Sequence, residues 1–233
     1  AVILFSYLLI LIISFDNLPT FEELENPNYN QASLIYSNDL SVMGKFYNEN
    51  REFLLYDSLN PYLVQCLLST EDSRYYNHSG IDSWALIRVF FKTLLLSKEE
   101  SGGGSTITQQ LAKLLFERPN LKGKSKLVQT MMMVRVKLKE WLTAVKLEKG
   151  YTKEEIIAMY LNKFDFIYEA HGVQTAAKTY FGKDQKDLRL DEAAMLVGML
   201  KNPTLYNPKK FPDLAKERRN TVLAKKKKKG VIS

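Results

Sequence analysis

GGGSTITQQLAK, residues 102–113, decides how the chain is read. Ile107, Leu111, Leu114 and Leu115 recur at helical spacing, while Thr106, Gln109, Gln110 and Lys113 fall at i, i+3, i+4 and i+7. Ser105 or Thr106 is a natural N-cap. The stretch therefore predicts an amphipathic helix with a stripe of hydroxyls and amides. A face meant for bulk water usually carries Glu and Lys, which form helices well and hydrate well. Hydroxyls and amides can instead bond sugar hydroxyls or phosphate oxygens, and glycines let backbone approach a ligand closely. Lys113 brings a positive charge. A capped helix with no ligand satisfies the same spacing equally well.

Outward from this stretch, helical periodicity runs from Asn60 almost to the end. PYLVQCLLSTED puts Val64, Leu67, Leu68 and Glu71 on one face. SWALIRVFFKTLLLS, residues 83–97, is strongly apolar and sets Arg88 and Lys92 one turn apart. SKEESGGG reads as a loop, and Pro119 and Gly123 mark a break over residues 117–125. A long helix is predicted from Leu127 to Glu148, stopping at Gly150. TKEEIIAMYLN and DEAAMLVGMLK each open with acidic residues that suit a helix dipole. Before Asn60, SLIYSND and GKFYNENREFLLYD predict two short strands joined by a turn near Asn38 to Gly44. The expected fold is mainly α, with a short β element near the N-terminus.

With 233 residues, 45% of them hydrophobic, the chain can bury a sizeable core. Its net charge of +7 is concentrated: Lys209 to Lys229 holds ten Lys/Arg against Asp213 and Glu217. The remainder is near neutral, which argues against a nucleic-acid partner. The five lysines at 225–229 read as a solvated helix face, with a preference for anionic lipid beside a membrane. Cys66 is the only cysteine, so no intrachain disulfide forms. AVILFSYLLILIISF, residues 1–15, carries no charge. A spanning helix needs about 20 apolar residues, so this reads as a truncated transmembrane helix. No Lys or Arg precedes Met43, while Asp16, Glu22, Glu23 and Glu25 follow the run. That asymmetry predicts export of the C-terminal side. The expected division is a partial anchor over 1–15, a connector with short strands over 16–59, and one domain over 60–233.

Two carboxylates stand out. Glu71 ends an apolar stripe, and desolvation by Val64, Leu67 and Leu68 would raise its pKa and suit it to act as a base. Asp72 beside it has polar flanks. Glu140 has Met133, Val136, Ala144 and Leu147 as helical neighbours, with Lys137 one turn away. A solvated helix end and a structural i−3 ion pair explain these features as well. Met131, Met132 and Met133 read as core packing. Two histidines, His78 and His171, offer poor support for a metal site. Arg88, Lys92, Lys113, Arg118 and Lys137 lie near the glutamates or the Thr/Gln stripe in sequence. A leaving group that is already anionic, such as a diphosphate, needs such cations and not a proton. One base then suffices, which points to transfer and not hydrolysis.

EDSRYYNHSGID, GGSTITQQLAK, KLKE, IIAMYLN with GVQTAAKTYFGK, and EAAMLVGMLKNPTLYNP follow one another along the chain. This order resembles the five motifs of the family 51 peptidoglycan glycosyltransferases, over roughly residues 20–233. Those are the transglycosylase domains of class A penicillin-binding proteins and the monofunctional transglycosylases. The resemblance implies a lysozyme-like α domain with a smaller membrane-associated lobe. It implies polymerisation of lipid II onto a growing glycan strand with inversion, releasing undecaprenyl diphosphate at the outer face of the bacterial inner membrane. By motif position Glu71 corresponds to the general base, Asp72 is its neighbour, and Arg88 matches a substrate-contacting arginine. Ser105, Thr106, Gln109, Gln110 and Lys113 match the second motif, with Lys113 on the donor diphosphate. Arg118 and Lys137 are further expected diphosphate contacts, and Glu140 matches the second glutamate. No cofactor is obligatory, though a divalent cation such as Mg2+ at the diphosphate is compatible.

The chain departs from the family pattern at Val136, where arginine is usual, and at Tyr75, where phenylalanine is usual. RRNTVLAKKKKKGVIS keeps the spacing that precedes a transpeptidase domain in bifunctional relatives, which predicts that such a domain follows. No Ser-x-x-Lys pair occurs in these residues, so transpeptidation is not assigned to them. A lysozyme-like hydrolase and a domain that binds lipid II without turnover are the competing readings.

Overall fold

A computed structural model describes residues 33–46, 52–88, 104–116 and 119–230. The elements are β1 (Ser33–Tyr36), β2 (Val42–Phe46), α1 (Pro61–Thr70), α2 (Ile107–Leu114), α3 (Lys126–Gly150), α4 (Lys153–Lys163), α5 (Val173–Phe181), α6 (Leu190–Met199) and α7 (Pro212–Lys228). Single 3-10 turns occupy Tyr56–Ser58, Tyr75–Asn77 and Gln185–Asp187. The described residues fall into two compact units, one built on Asn77–Thr152 and the other on Asn28–Tyr76 with Lys153–Ser233.

In the larger unit β1 and β2 pair antiparallel, Ser33 opposite Phe46 and Tyr36 opposite Val42, with a register shift between Ile35 and Tyr36. The second strand starts at Val42, ahead of the turn's expected end at Gly44. The core of this unit is α1, α6 and α7 packed on one another, with α5 and α4 alongside. Leu63, Cys66 and Leu67 of α1 meet an α6 that is apolar nearly all round, with Ala193, Ala194, Leu196 and Val197 buried. Asn60 starts α1 by accepting from the Tyr62 amide at 2.8 Å, and Pro61 occupies the first turn, where no donor is lost. The same amide side chain donates to the carbonyls of Lys186 and Leu188 at 3.0 and 2.9 Å. A single buried residue thus caps a helix and pins a distant loop.

The link from α4 to α5 is under backbone strain. Ile167, Tyr168 and Glu169 all take left-handed φ values of 60°, 53° and 57°, unusual for side-chain-bearing residues and most of all for a β-branched one. The Phe166 amide donates to the Ala170 carbonyl at 2.9 Å, and the Tyr180 hydroxyl donates to the Phe166 carbonyl at 2.7 Å. These bonds hold the loop closed against the strain. It ends at Gly172, with φ +83° and ψ 162°, a region open in practice to glycine only.

In the smaller unit α2 packs on α3. Thr106 caps α2 through a reciprocal capping box. Its hydroxyl accepts from the Gln109 amide at 3.1 Å, and the Gln109 side-chain oxygen accepts from the Thr106 amide at 3.1 Å. The Thr106 hydroxyl also donates to the Gly80 carbonyl at 2.6 Å. Gly80, at φ +87°, lies so close to α3 that an added Cβ would sit 2.9 Å from the Ala144 carbonyl oxygen. Ser125 caps α3, which begins at Lys126 and runs through Gly150.

Four expectations need correction or fall outside the described residues. The methionine run is not core: Met131 is 58% exposed, and Met132 and Met133 are only partly covered. α3 here has its buried residues further along, at Glu140, Thr143, Ala144 and Leu147. The lysine run at 225–229 is not wholly solvated, because Lys226 is 2% exposed with its ammonium 5.0 Å from the Tyr62 ring. Of the apolar helix at 83–97, residues 83–88 are helical and the rest lies outside the described residues, as does the apolar run at 1–15. Among the described residues no helix is long and apolar enough to cross a membrane.

Two stability changes follow from this geometry. Gly172→Ala should destabilise the larger unit by about 3 kcal/mol, since it combines a glycine-only backbone with a Cβ 2.8 Å from the Asn162 carbonyl oxygen. Thr106→Ala should cost about 1–2 kcal/mol by removing the cap and the donor to Gly80. Urea unfolding of each variant beside the parent measures both, and an unchanged midpoint would contradict the corresponding claim.

Candidate active site

Glu71 is the C-cap residue of α1, its amide donating to the Leu67 carbonyl at 2.9 Å. Its side chain is 16% exposed, but the surround is not the apolar pocket expected from sequence. Nη2 of Arg218, on α7, stands 3.4 Å from Oε1 of Glu71. The Arg218 side chain is 10% exposed, its guanidinium 5.7 Å from the Tyr206 ring and its Nε 3.4 Å from the Gly198 carbonyl. Lys225, two turns further along α7, donates to the Thr70 carbonyl at 3.1 Å. Burial and the charge of Arg218 hold the Lys225 ammonium below its usual pKa, and Lys201 adds to this, while Glu71 pulls the other way.

Tyr160 of α4 completes this neighbourhood. Burial pushes its phenol well above the usual value, and the negative charge of Glu71 adds to the shift. It therefore stays protonated and neutral at any working pH. Asp72, expected among polar neighbours, is buried. Tyr75, the residue that departs from phenylalanine, uses its extra hydroxyl to donate to the Lys153 carbonyl at 2.9 Å, with the Lys153 ammonium 4.3 Å over its ring.

The second set of expected residues sits in the smaller unit. Thr106 and Gln109 are buried and committed to the capping box, so two members of the polar stripe serve the helix itself. Gln109 nonetheless keeps Nε2 buried without a hydrogen-bond partner. Ser105 and Gln110 are partly exposed and Lys113 is exposed. Thr108, on the other side of α2, donates to Glu148 Oε1 at 2.5 Å. Glu140 is 3% exposed. Its Oε2 accepts from Lys137 Nζ at 2.5 Å, an i−3 pair in which the lysine is half exposed. Its Oε1 is buried and unbonded, as is Thr143 Oγ1 one turn on. A carboxylate with one oxygen fixed and the other unmet can accept from a ligand hydroxyl or amide.

Arg88 is exposed on residues 83–88, and Arg118 lies outside the described residues. Val136 is partly buried and Arg135 exposed. Among the described residues no group of three or more His, Cys, Asp or Glu side chains could hold a metal ion. Arg218, Lys225 and Tyr160 were missed by sequence reasoning. A signal for Arg218 was present in the spacing: it stands three residues after Ala215 and four before Val222, the two apolar side chains that α7 buries.

The chain matches the family described as Transglycosylase over residues 39–227. It is 36% identical over 216 residues to penicillin-binding protein 1A of Escherichia coli K12, covering 93% of this chain and 24% of the relative. Against penicillin-binding protein 1A of Aquifex aeolicus it is 36% identical over 226 residues, 97% of this chain and 30% of the relative. Penicillin-binding protein 1A/1B of Bacillus subtilis is 38% identical over 207 residues, 87% of this chain and 21% of the relative. The chain thus spans about a quarter of the length of these relatives. A crystal structure of penicillin-binding protein 1A from Haemophilus influenzae aligns with 88% of this chain and 19% of its own at 21% identity. The TM-score of that alignment is 0.43. The family match and these identities make the conclusion plain: the chain belongs to the transglycosylase family, the one its five motifs resemble.

Proposed function

We propose that this chain is the peptidoglycan glycosyltransferase part of a class A penicillin-binding protein, polymerising lipid II into β-1,4-linked glycan with inversion. The observation that carries the reading is Glu71: a largely buried carboxylate at a helix end, with a cation against it, in a chain of the transglycosylase family. In the proposed step Glu71 takes the proton from the 4-hydroxyl of the acceptor sugar. That oxygen forms its bond to the donor's anomeric carbon as the bond to the lipid diphosphate breaks. The electron pair leaves with the diphosphate, which is already anionic and needs no proton. Lys113, Arg118 and Arg88 offset its charge, and Ser105, Gln109 and Gln110 bond the sugar-phosphate. Lys137 orients Glu140, whose second oxygen accepts from the substrate. Asp72 supports the base from its buried position.

A divalent cation such as Mg2+ would be carried on the diphosphate itself; the described residues offer it no cage, and no step depends on it. Residues 60–233 are taken as the catalytic domain in a lysozyme-like arrangement, following 1–15 as anchor and 16–59 as connector. The proposed location is the outer face of the bacterial inner membrane, with the bilayer and a C-terminal transpeptidase domain as neighbours. The transpeptidase inference rests on relatives that are penicillin-binding proteins and about four times as long. Val136 leaves the third motif one charge short, and Lys137 is the motif cation that remains.

Lipid II consumption by the detergent-solubilised protein, with products separated by size, tests the reading. The parent should make long strands, and Glu71→Gln should lose roughly 10²–10⁴-fold in rate. Lys113→Ala should lose roughly 10²–10³-fold while melting like the parent, because its side chain is exposed. Short soluble saccharides without polymer would mark a hydrolase. Lipid II binding without any product would mark a domain that binds and does not turn over.

A further inference from the structure

The strained turn between α4 and α5 displays an aromatic side chain that the proposed mechanism does not use. Tyr168, at φ 53° between two more left-handed residues, is 53% exposed. Three consecutive non-glycine residues in this region oppose folding, and so little burial of Tyr168 returns only part of that cost. The turn is nevertheless fixed at several points. The Ile167 amide donates to Asp165 Oδ1 at 2.7 Å, and the Gly172 amide donates to the Phe164 carbonyl at 2.8 Å. Tyr180, whose hydroxyl is spent on the Phe166 carbonyl, sets its ring 6.5 Å from that of Tyr168. A second pinned turn meets the first. The side chain of Asn207, fully buried, accepts from the Lys209 amide at 2.9 Å, and the Asn207 carbonyl accepts from the Phe211 amide at 2.7 Å. The Lys209 ammonium then lies 5.7 Å from the Tyr168 ring and 5.4 Å from the Tyr180 ring. Asp165 and Glu169, on the first turn, are exposed as well, so both signs of charge border the rings. Strain kept at a fixed, exposed aromatic pair marks a binding surface, and groups held in place lose little freedom when a ligand arrives.

We propose that Tyr168, Tyr180 and Lys209 form a platform for the glycan strand, with a sugar laying its apolar face on Tyr168 and Lys209 meeting its hydroxyls and the carboxylates of the attached peptide. This rests on the reading of the chain as a peptidoglycan glycosyltransferase. A sugar has apolar faces and hydroxyl edges, and an exposed phenol ring beside charged groups offers a match to both. The place fits too. Lys209 follows Tyr206 by three residues, and the Tyr206 ring lies 5.7 Å from the Arg218 guanidinium that faces Glu71. Three residues span at most about 11 Å, so a strand growing at Glu71 reaches the platform within a short length. The centre of a protein–protein interface is depleted of charge, whereas here an ammonium stands directly against the rings.

Tyr168→Gly separates the ring from the fold, because glycine takes the left-handed backbone without strain. It should melt at or above the parent. Its affinity for soluble, uncross-linked glycan strands, measured by calorimetric titration, should fall about 3- to 10-fold. Tyr168→Phe, which keeps the ring, should bind as the parent does. Lys209→Ala should weaken binding of peptide-bearing strands more than of chitohexaose, which has no carboxylate. With lipid II, Tyr168→Gly should consume substrate at the parental initial rate and release shorter strands. If Tyr168→Gly fails to fold, Tyr168→Asn decides, since asparagine also tolerates this backbone. Equal strand affinity in the parent and the ring-less variant, or no strand binding by the parent, overturns the platform. Unchanged strand binding with altered self-association would assign the rings to a protein contact and overturns it as well. A parent that binds strands but consumes no lipid II overturns the glycosyltransferase reading, a separate result because strand binding is measured without turnover.

Discussion

The larger unit depends on a basic helix that has to be packed along one face. α7 presents only Ala215 and Val222 as buried apolar side chains, and α6 answers with small residues, Ala193, Ala194 and Gly198, that allow close approach. Two small side chains supply only a few kcal/mol of burial, on the order of 2–4. The stem of Arg218 passes close to Gly198 and Lys226 is buried, while the heads of Arg218, Lys225 and Lys226 find a carboxylate, a carbonyl and a ring. Charge is thereby drawn to the end of α1, where Glu71 stands. Packing and the chemistry of the candidate base are the same set of contacts.

The smaller unit is organised around polar atoms instead. Thr106 and Gln109 satisfy the start of α2 and hold Gly80, and Glu140 is buried with Lys137 beside it. Gln109 Nε2, Glu140 Oε1 and Thr143 Oγ1 remain unbonded and buried, at a cost of about 1–3 kcal/mol each. Such unmet groups are commonly kept where a ligand or water supplies the missing partner. The exposed Met131 and the neighbouring Leu127 and Val134 show that the first half of α3 is not held by a core either. Both features set this unit apart from the closely packed larger one.

Much of this was legible in the chain. The order of helices, the cap at Thr106 and the partnership of Lys137 with Glu140 all follow from local periodicity and spacing. Local rules work there because the interacting groups lie within one or two turns of each other. The same rules misjudged Met131 and Lys226, since a methionine or lysine fits either side of a helix. For Thr106 and Gln109 they left a ligand face and a plain capped helix equally open, and the structure shows both side chains in the capping box.

By itself, the sequence determined a mainly helical chain of the transglycosylase family and singled out Glu71 and Glu140 as candidates. Composition, capping residues and ordered motifs are properties of the chain alone. Only the tertiary structure decided what surrounds Glu71. Arg218 lies 147 positions away, and no periodicity links residues on two helices so distant in sequence. The rotation of α7, set by Ala215, Val222 and the gap at Gly198, brings the guanidinium to the carboxylate. That rotation is a packing result, settled by which side chains fit against α6.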